Sequence, residues 1–234
     1  MKCAVVGGTG WQGAGVAVRI ASAGHTAIIG SRIPARAESL AKKLPNLTGL
    51  DSELFQFSEN AEAAKNAEIV FVTAPMNAHE QIVEHIRGSV KGKIVVDVTA
   101  PVDPENQIEN LWPVEGSATQ QAQRILEGEA SVVGALKNIA ALALLNYKKE
   151  SPCDILIVGD DLASKHTVIG LLDEMNLTSY DVGSGEVCRT IEGLTSMLIY
   201  LNYAYHLRQP GLKVQEIDPG LDFIPDEDLF NYDS

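Results

Sequence analysis

The sequence predicts an α/β protein with a doubly wound, mostly parallel sheet and a small C-terminal α/β portion ending in a long helix. Three observations predict it. Short β-branched runs alternate with helical stretches along the chain, the signature of successive βαβ units. The central runs Ile69-Val70-Phe71-Val72 and Ile94-Val95-Val96 are apolar without alternation, as strands covered by helices on both faces must be. The glycine pattern Gly8-Thr9-Gly10-Trp11-Gln12-Gly13 follows the first apolar run and opens a helical stretch, which makes the sheet of the Rossmann type.

Taken in order, strands are expected at Lys2–Val6, Thr26–Gly30, 68–73, 93–98, Ser131–Gly134, 154–158 and 178–182, with a weaker candidate at 54–57. Helices are expected at 12–23, 34–44, 60–67, 78–87 and 118–126. Pro34 suits the first turn of the second helix, and Ser117 with Gln120 fits a capping box for the last. The segment 99–116 carries Pro101, Pro104 and Pro113 and is long for a bare connection; at the C-terminal end of a sheet such a loop borders a ligand site. Beyond Val182 one helix is expected over 185–207. Val187, Ile191, Leu194, Leu198, Leu201 and Tyr205 form its single apolar stripe, suited either to packing on its own fold or to a dimer interface. The division that follows is a nucleotide-binding unit over 1–134, a smaller portion over 135–214 that completes a cleft and offers a dimer interface, and an acidic tail over 215–234.

Composition narrows the function. A hydrophobic share of 45% and a charged share of 21% are those of an ordinary globular protein. A net charge of −13 opposes nucleic acid as a partner. About half of that excess sits in the tail, on Glu216, Asp218, Asp222, Asp226, Glu227, Asp228 and Asp233, interleaved with Phe223, Ile224, Leu229, Phe230 and Tyr232. Cys3, Cys153 and Cys188 are too far apart for a disulfide framework or a Cys-x-x-Cys pair, and the histidines show no metal-binding spacing, so no metal is expected. With no apolar run long enough to span a bilayer and no leader-like start, a reduced cytoplasmic setting is expected and no membrane partner.

The chemistry begins at the glycines. Gly8 is read as the tight turn, Gly10 as the point where backbone approaches a pyrophosphate, and Gly13 as the close contact of helix and strand. The helix N-terminus at Trp11 and Gln12 supplies free N–H groups and positive dipole. The end of the second strand selects the cofactor. An NAD site places a carboxylate there for the ribose 2′-OH, whereas this chain has Gly30-Ser31-Arg32 with Arg36 one turn further on. A hydroxyl and two guanidiniums suit a 2′-phosphate, so NADP(H) is favoured. Thr73-Ala74-Pro75-Met76, after the strand at 68–73, is either a wall for the nicotinamide or its ribose or an ordinary strand-to-helix turn.

These motifs resemble the F420-dependent NADP oxidoreductases. The likeness runs from Met1 to Val214 and is carried by the opening Val-Val-Gly-Gly-Thr-Gly, by Gly30-Ser31-Arg32 and by Val132-Val133-Gly134-Ala135-Leu136. It recurs in Glu192-Gly193-Leu194-Thr195 and Pro210-Gly211-Leu212-Lys213-Val214. The resemblance implies hydride transfer between the nicotinamide of NADP(H) and C5 of the deazaflavin coenzyme F420, with the two rings stacked in one cleft of a homodimer formed partly through the C-terminal helix. It implies that Thr9, Gly10, Trp11, Gln12, Ser31, Arg32, Arg36, Ala74, Ala78 and Ile139 line the NADP site, and that Lys137, Asn138, Ile139 and Ala140 face the deazaflavin. No general acid or base is assigned, since two hydride carriers need orientation rather than proton transfer. The chain departs from the family pattern at Lys137-Asn138-Ile139-Ala140, where relatives carry a His-x-Ile-Pro-like run. A lysine there suits pairing with the phosphate or carboxylates of F420, stabilisation of a reduced anionic ring, a pocket specialised for another acceptor, or plain exposure to solvent. Two rival readings stay open at this stage. One is an NADPH-dependent reductase of a flavin, a ferric complex or a small imine or carbonyl; the other is a non-catalytic NADP(H) sensor.

Overall fold

The computed structural model describes residues 1–215, so the acidic tail lies, from Glu216 on, outside the described residues. Six strands form one parallel sheet: β1 (Lys2–Val6), β2 (Thr26–Gly30), β3 (Phe55–Ser58), β4 (Ile69–Val72), β5 (Ile94–Asp97) and β6 (Ser131–Gly134). Their spatial order is β3-β2-β1-β4-β5-β6, which reverses direction at β1 and so opens a crevice above the C-terminal ends of β1 and β4. Register is uniform, with Val5 between Ile29 and Phe71, for example. The weak candidate strand proves to be β3, the sheet edge.

Strand alternation sends successive side chains to opposite faces, and both faces are covered. Cys3, Val5, Ile69 and Phe71 join one buried cluster, while Ala4, Val6, Val70 and Val72 join another. The first face carries α1 (Trp11–Ser22) and α2 (Pro34–Thr48); the second carries α3 (Asn60–Lys65), α4 (Met76–Ile86) and α5 (Ala118–Ile125). Helix α2 runs past the expected stop at Leu44. Pro45 stands inside it, and the helix ends a turn later at Gly49, φ +77°, with Thr48 Oγ1 donating to the Leu44 carbonyl at 2.8 Å. Helix α4 begins at Met76 rather than at 78, because Pro75 in extended geometry serves as its N-cap.

The C-terminal portion adds α6 (Ala141–Leu145), β7 (Ile155–Ile157), α7 (Leu162–Glu174), β8 (Ser179–Asp181) and α8 (Cys188–Ala204). β7 and β8 make a separate two-stranded parallel sheet, joined to the first by an antiparallel bridge between Gly134 and Val158. Ile155, Ile157, Val168 and Leu172 belong to the same buried cluster as Val5 and Val16, so one core serves both sheets. Arg19, 1% exposed, fastens the junction: its guanidinium donates to the carbonyls of Leu144 (3.0 Å), Met175 (3.1 Å) and Ala143 (2.9 Å). Three backbone carbonyls satisfy a buried cation where no carboxylate is available.

The long C-terminal helix is shorter than the expected 185–207, since a 3-10 turn at Gly185–Val187 precedes it and Leu207 lies beyond its end. Ile191 and Leu198 of the apolar stripe are buried on the chain's own fold, while Tyr205 is exposed. Among the described residues no helix is long and apolar enough to cross a membrane.

Candidate active-site cleft

The turn after β1 is built by glycine, though not as its sequence suggests. Gly7, with φ +66°, takes the left-handed step, and its N–H donates to Asn60 Oδ1 at 3.1 Å. Gly8 and Gly13 are required by contact instead: a Cβ on Gly8 would press on the Val5 carbonyl, and one on Gly13 on the backbone of Gly8. Both lie beneath the site rather than in it. Gly10 caps α1 in extended geometry, with open space where its side chain would be, so backbone can be approached from above. No acidic residue occupies the first turn of α1, which leaves the dipole free to attract an anion.

A cavity of about 470 Å³ opens over that turn. Thr9, Gly10, Ser31, Arg32, Arg36 and Ala78 line it, with Thr73 and Pro75 of the expected strand-end wall and with Gly7, Asn60 and Ile82, to which sequence reasoning assigned no role. Among the described residues none that lines it is acidic. Ser31 is buried and accepts from the Ile33 N–H at 3.2 Å, whereas Arg32 and Arg36 extend into solvent at the cavity mouth. Asn60 is fully buried, and its Nδ2 has no hydrogen-bond partner among the described residues; its signal in the sequence was only the start of α3.

A second cavity, about 410 Å³, continues from the first across their shared residues Gly10, Thr73 and Pro75. Ala74, Thr99, Trp11 and Leu136 wall it, so the loop after β5 does border the cleft. A third, about 240 Å³, continues through Gln12, Lys137, Ile139 and Thr195 toward Asn138, Ala140, Leu198 and Asn202. Asn202 Oδ1 is buried there without a hydrogen-bond partner among the described residues. The three cavities form one cleft running from the arginines to α8. It brings together every residue expected at the site except Gly8, Gly13 and Met76; Met76 opens α4 and is not among the lining residues.

The loop 135–140 is the floor between the second and third cavities, and it is heavily tied. Gln12 Nε2 donates to the Leu136 carbonyl at 3.3 Å, and Thr195 Oγ1 to the Lys137 carbonyl at 2.7 Å. Leu136 holds φ +59°, a left-handed conformation that costs a non-glycine residue of order 1 kcal/mol and persists only where neighbours enforce it. Asn138 is turned inward, Nδ2 donating to the Asp154 carbonyl at 2.7 Å and Oδ1 accepting from the Leu156 N–H at 3.4 Å.

Lys137 corrects the readings that gave its ammonium to the deazaflavin or to solvent. Its side chain is 0% exposed, so what reaches the cleft is backbone. Nζ lies 3.1 Å from Asp97 Oδ2, 3.0 Å from Glu192 Oε1 and 2.6 Å from the Thr99 carbonyl, three acceptors for three protons. Asp97, at the end of β5, also accepts from His79 Nε2 at 3.2 Å and from the Thr99 N–H at 3.1 Å. Glu192 accepts from the Ala118 and Thr119 N–H groups at 2.8 and 3.0 Å, capping α5. The expected capping box at Ser117 is therefore half made: Ser117 Oγ takes the Gln120 N–H at 3.1 Å, and Glu192 takes its neighbours. Burial alone would lift the Asp97 carboxyl, but Lys137 and His79 hold it well below its ordinary range. Burial, the largest single influence, would depress His79 and Lys137; Asp97 with Gln121 together outweigh it for His79, and Asp97 with Glu192 together for Lys137, so each stays above its ordinary value.

The family model described as NADP oxidoreductase, coenzyme F420-dependent, matches residues 2–101. The chain is 35% identical over 224 residues to the F420-dependent NADP reductase of Methanothermobacter marburgensis, covering 93% of this chain and 99% of that one. It is 32% identical over 225 residues to the enzyme of that name from Methanocaldococcus jannaschii, covering 93% and 100%. The crystal structure of a putative F420-dependent NADP-reductase from Arthrobacter sp. FB24 superposes with a TM-score of 0.79 at 25% identity, covering 92% of this chain and 100% of that one. This chain belongs to the F420-dependent NADP reductase family.

Proposed function

We propose that the protein is an oxidoreductase that transfers a hydride between NADP(H) and coenzyme F420. The observation that carries this reading is the continuity of the cleft: Gln12, Lys137, Ile139 and Thr195 wall both its second and third cavities, so two flat rings bound from opposite ends meet over one floor. NADP(H) lies with its 2′-phosphate toward Ser31, Arg32 and Arg36, its pyrophosphate over Thr9, Gly10, Trp11 and Gln12, and its nicotinamide beside Ala74, Pro75 and Ile139. The absence of a carboxylate among the residues lining the first cavity supports NADP over NAD. F420 places its deazaflavin in the third cavity, over the backbone of Lys137, Asn138, Ile139 and Ala140, where the Asn202 amide oxygen is available as an acceptor.

When both are bound, C4 of the nicotinamide and C5 of the deazaflavin exchange a hydride. The protein's share is to hold those carbons together and keep water out. Among the described residues Lys137 is the only ionisable one lining the second and third cavities, and its ammonium is engaged elsewhere, which supports transfer without a side-chain acid or base. The residues 135–214 act as the part that closes the acceptor end of the cleft, and two copies associate through the outer face of α8, where Met197, Tyr200 and Tyr203 stand exposed at helical spacing.

The test is to mix purified protein with NADPH and F420 and follow the deazaflavin absorbance. Bleaching matched by NADPH oxidation is expected. Tight NADPH binding with no bleaching would sink the reading in favour of another acceptor.

A further inference from the structure

The four buried charges around Lys137 touch neither cavity with a charged atom, yet they join every wall of the acceptor end. Lys137 Nζ holds the Thr99 carbonyl at 2.6 Å, and Thr99 Oγ1 in turn donates to the Ala74 carbonyl at 3.0 Å. Thr99 and Ala74 are on the nicotinamide side of the cleft. Lys137 also reaches Glu192 on α8, and its own carbonyl is held by Thr195 of the same helix at 2.7 Å. The next carbonyl back, that of Leu136, is held by Gln12 of the fingerprint. The left-handed Leu136 is thus restrained at its own carbonyl and at the next one along the chain.

Charge balance closes on His79. Its Nδ1 faces Gln121 Oε1 at 2.8 Å and its Nε2 faces Asp97 Oδ1 at 3.2 Å. The Gln121 amide is oriented from its other end, because Nε2 lies 3.3 Å from Glu115 Oε2, a carboxylate that can only accept. Both partners of the ring are therefore acceptors, and the ring must donate from both nitrogens. That makes two cations, Lys137 and His79, against two anions, Asp97 and Glu192, all without solvent contact. The groups facing His79 from the elements around it are Asp97 from β5, Gln121 from α5 with Glu115 behind it, and Lys137 beyond the Asp97 carboxylate.

We infer that Lys137 is a positioning residue for hydride transfer: its buried ammonium fixes the loop under the acceptor relative to the nicotinamide wall, through Thr99, Asp97 and Glu192, with His79 balancing the charge as an imidazolium. The inference rests on the hydride-transfer reading above. It assigns Lys137 a part that does not require touching either ring. Losing such a restraint leaves both ligands able to bind but lets their reacting carbons drift, and misplacement by about 1 Å costs on the order of 100-fold in rate.

The experiment compares wild type with Lys137→Met, with the charge-balanced double variant Lys137→Met/Glu192→Gln, and with Glu192→Gln alone. NADPH affinity, the single-turnover rate of F420 reduction, the isotope effect with NADPH deuterated at the transferred position, and the melting temperature are measured for each. Lys137→Met is expected to bind NADPH within about threefold of wild type while the transfer step slows roughly 10- to 100-fold and the isotope effect on turnover rises. The double variant is expected to recover melting temperature without recovering rate. A folded Lys137→Met with wild-type rate and isotope effect would overturn the inference, and so would a double variant whose rate returns with its stability. If Lys137→Met does not fold, Glu192→Gln decides, a slowed transfer supporting the inference and an unchanged one ending it. In wild-type protein labelled with 15N-histidine, both His79 ring nitrogens are expected to stay protonated past the ordinary value of 6.5; release of a proton at or below that value would overturn the charge balance. Wild-type protein that binds NADPH but leaves F420 untouched would instead remove the function proposed above, a separate result.

Discussion

Arg32 and Arg36 are exposed guanidiniums on a cavity with no carboxylate among its described lining residues, and Ser31 beside them is buried. Two full charges held at a cavity mouth recognise a dianionic phosphate far better than a hydroxyl, since charge-assisted hydrogen bonds contribute about 1.5–3 kcal/mol where neutral ones contribute nearer 1. Arg32→Ala is accordingly expected to weaken NADPH binding about 10- to 100-fold and to leave NADH binding nearly unchanged, as read by titration of each nucleotide. Equal losses for the two would refute a 2′-phosphate contact. These residues were legible in the sequence because their meaning is local: a strand end, a hydroxyl and two arginines within one turn. Lys137 was not. Its partners Asp97 and Glu192 come from β5 and α8, dozens of residues away on either side, and only the folded sheet brings them to 3 Å. Asn60 escaped for the same reason, its contact with Gly7 lying across the crevice.

At the scale of elements, what was legible follows the strength of periodicity. The central strands stand out because burial on both faces makes them continuously apolar. Helix α7 did not, although Asp161 caps it by accepting from the Ser164 N–H at 2.8 Å; Gly170 and the scattered apolar positions blur its face. Helix α6, at five residues, is too short to show a period. Helix α8 answers the first of the two alternatives offered by its stripe, packing on its own fold, and leaves a different face turned outward. Ile191 and Leu198 bury inward, while Tyr200 and Tyr203, 55% and 61% exposed, stand outward. It is this outward face through which the dimer proposed above is expected to form, since an exposed apolar face gains stability by meeting another copy. Sedimentation at micromolar concentration is expected to show a dimer for wild type and a monomer for Tyr200→Glu/Met197→Asp, with NADPH binding retained. A monomeric wild type would refute the interface.

At the scale of the whole molecule, the parallel sheet supplies one half of a cleft and the C-terminal portion the other, with a single core beneath both. A cleft that holds donor and acceptor together has a kinetic consequence that a site visited by each in turn does not. Among the described residues no cysteine lines its second and third cavities, and Cys3, Cys153 and Cys188 are all buried elsewhere, so no thiol stands between the two rings as a carrier. Both ligands must then be bound before the hydride moves. Initial rates measured against both substrates are expected to give intersecting double-reciprocal lines rather than parallel ones. The carried atom makes the same point by a second route. Deuterium placed at the transferred position of NADPH is expected to appear in the reduced deazaflavin without dilution by solvent protons, read by mass spectrometry of the product. Parallel lines, or deuterium lost to water, would mean that an intermediate carrier stands between the two rings, and the direct geometry of the cleft would have to be abandoned.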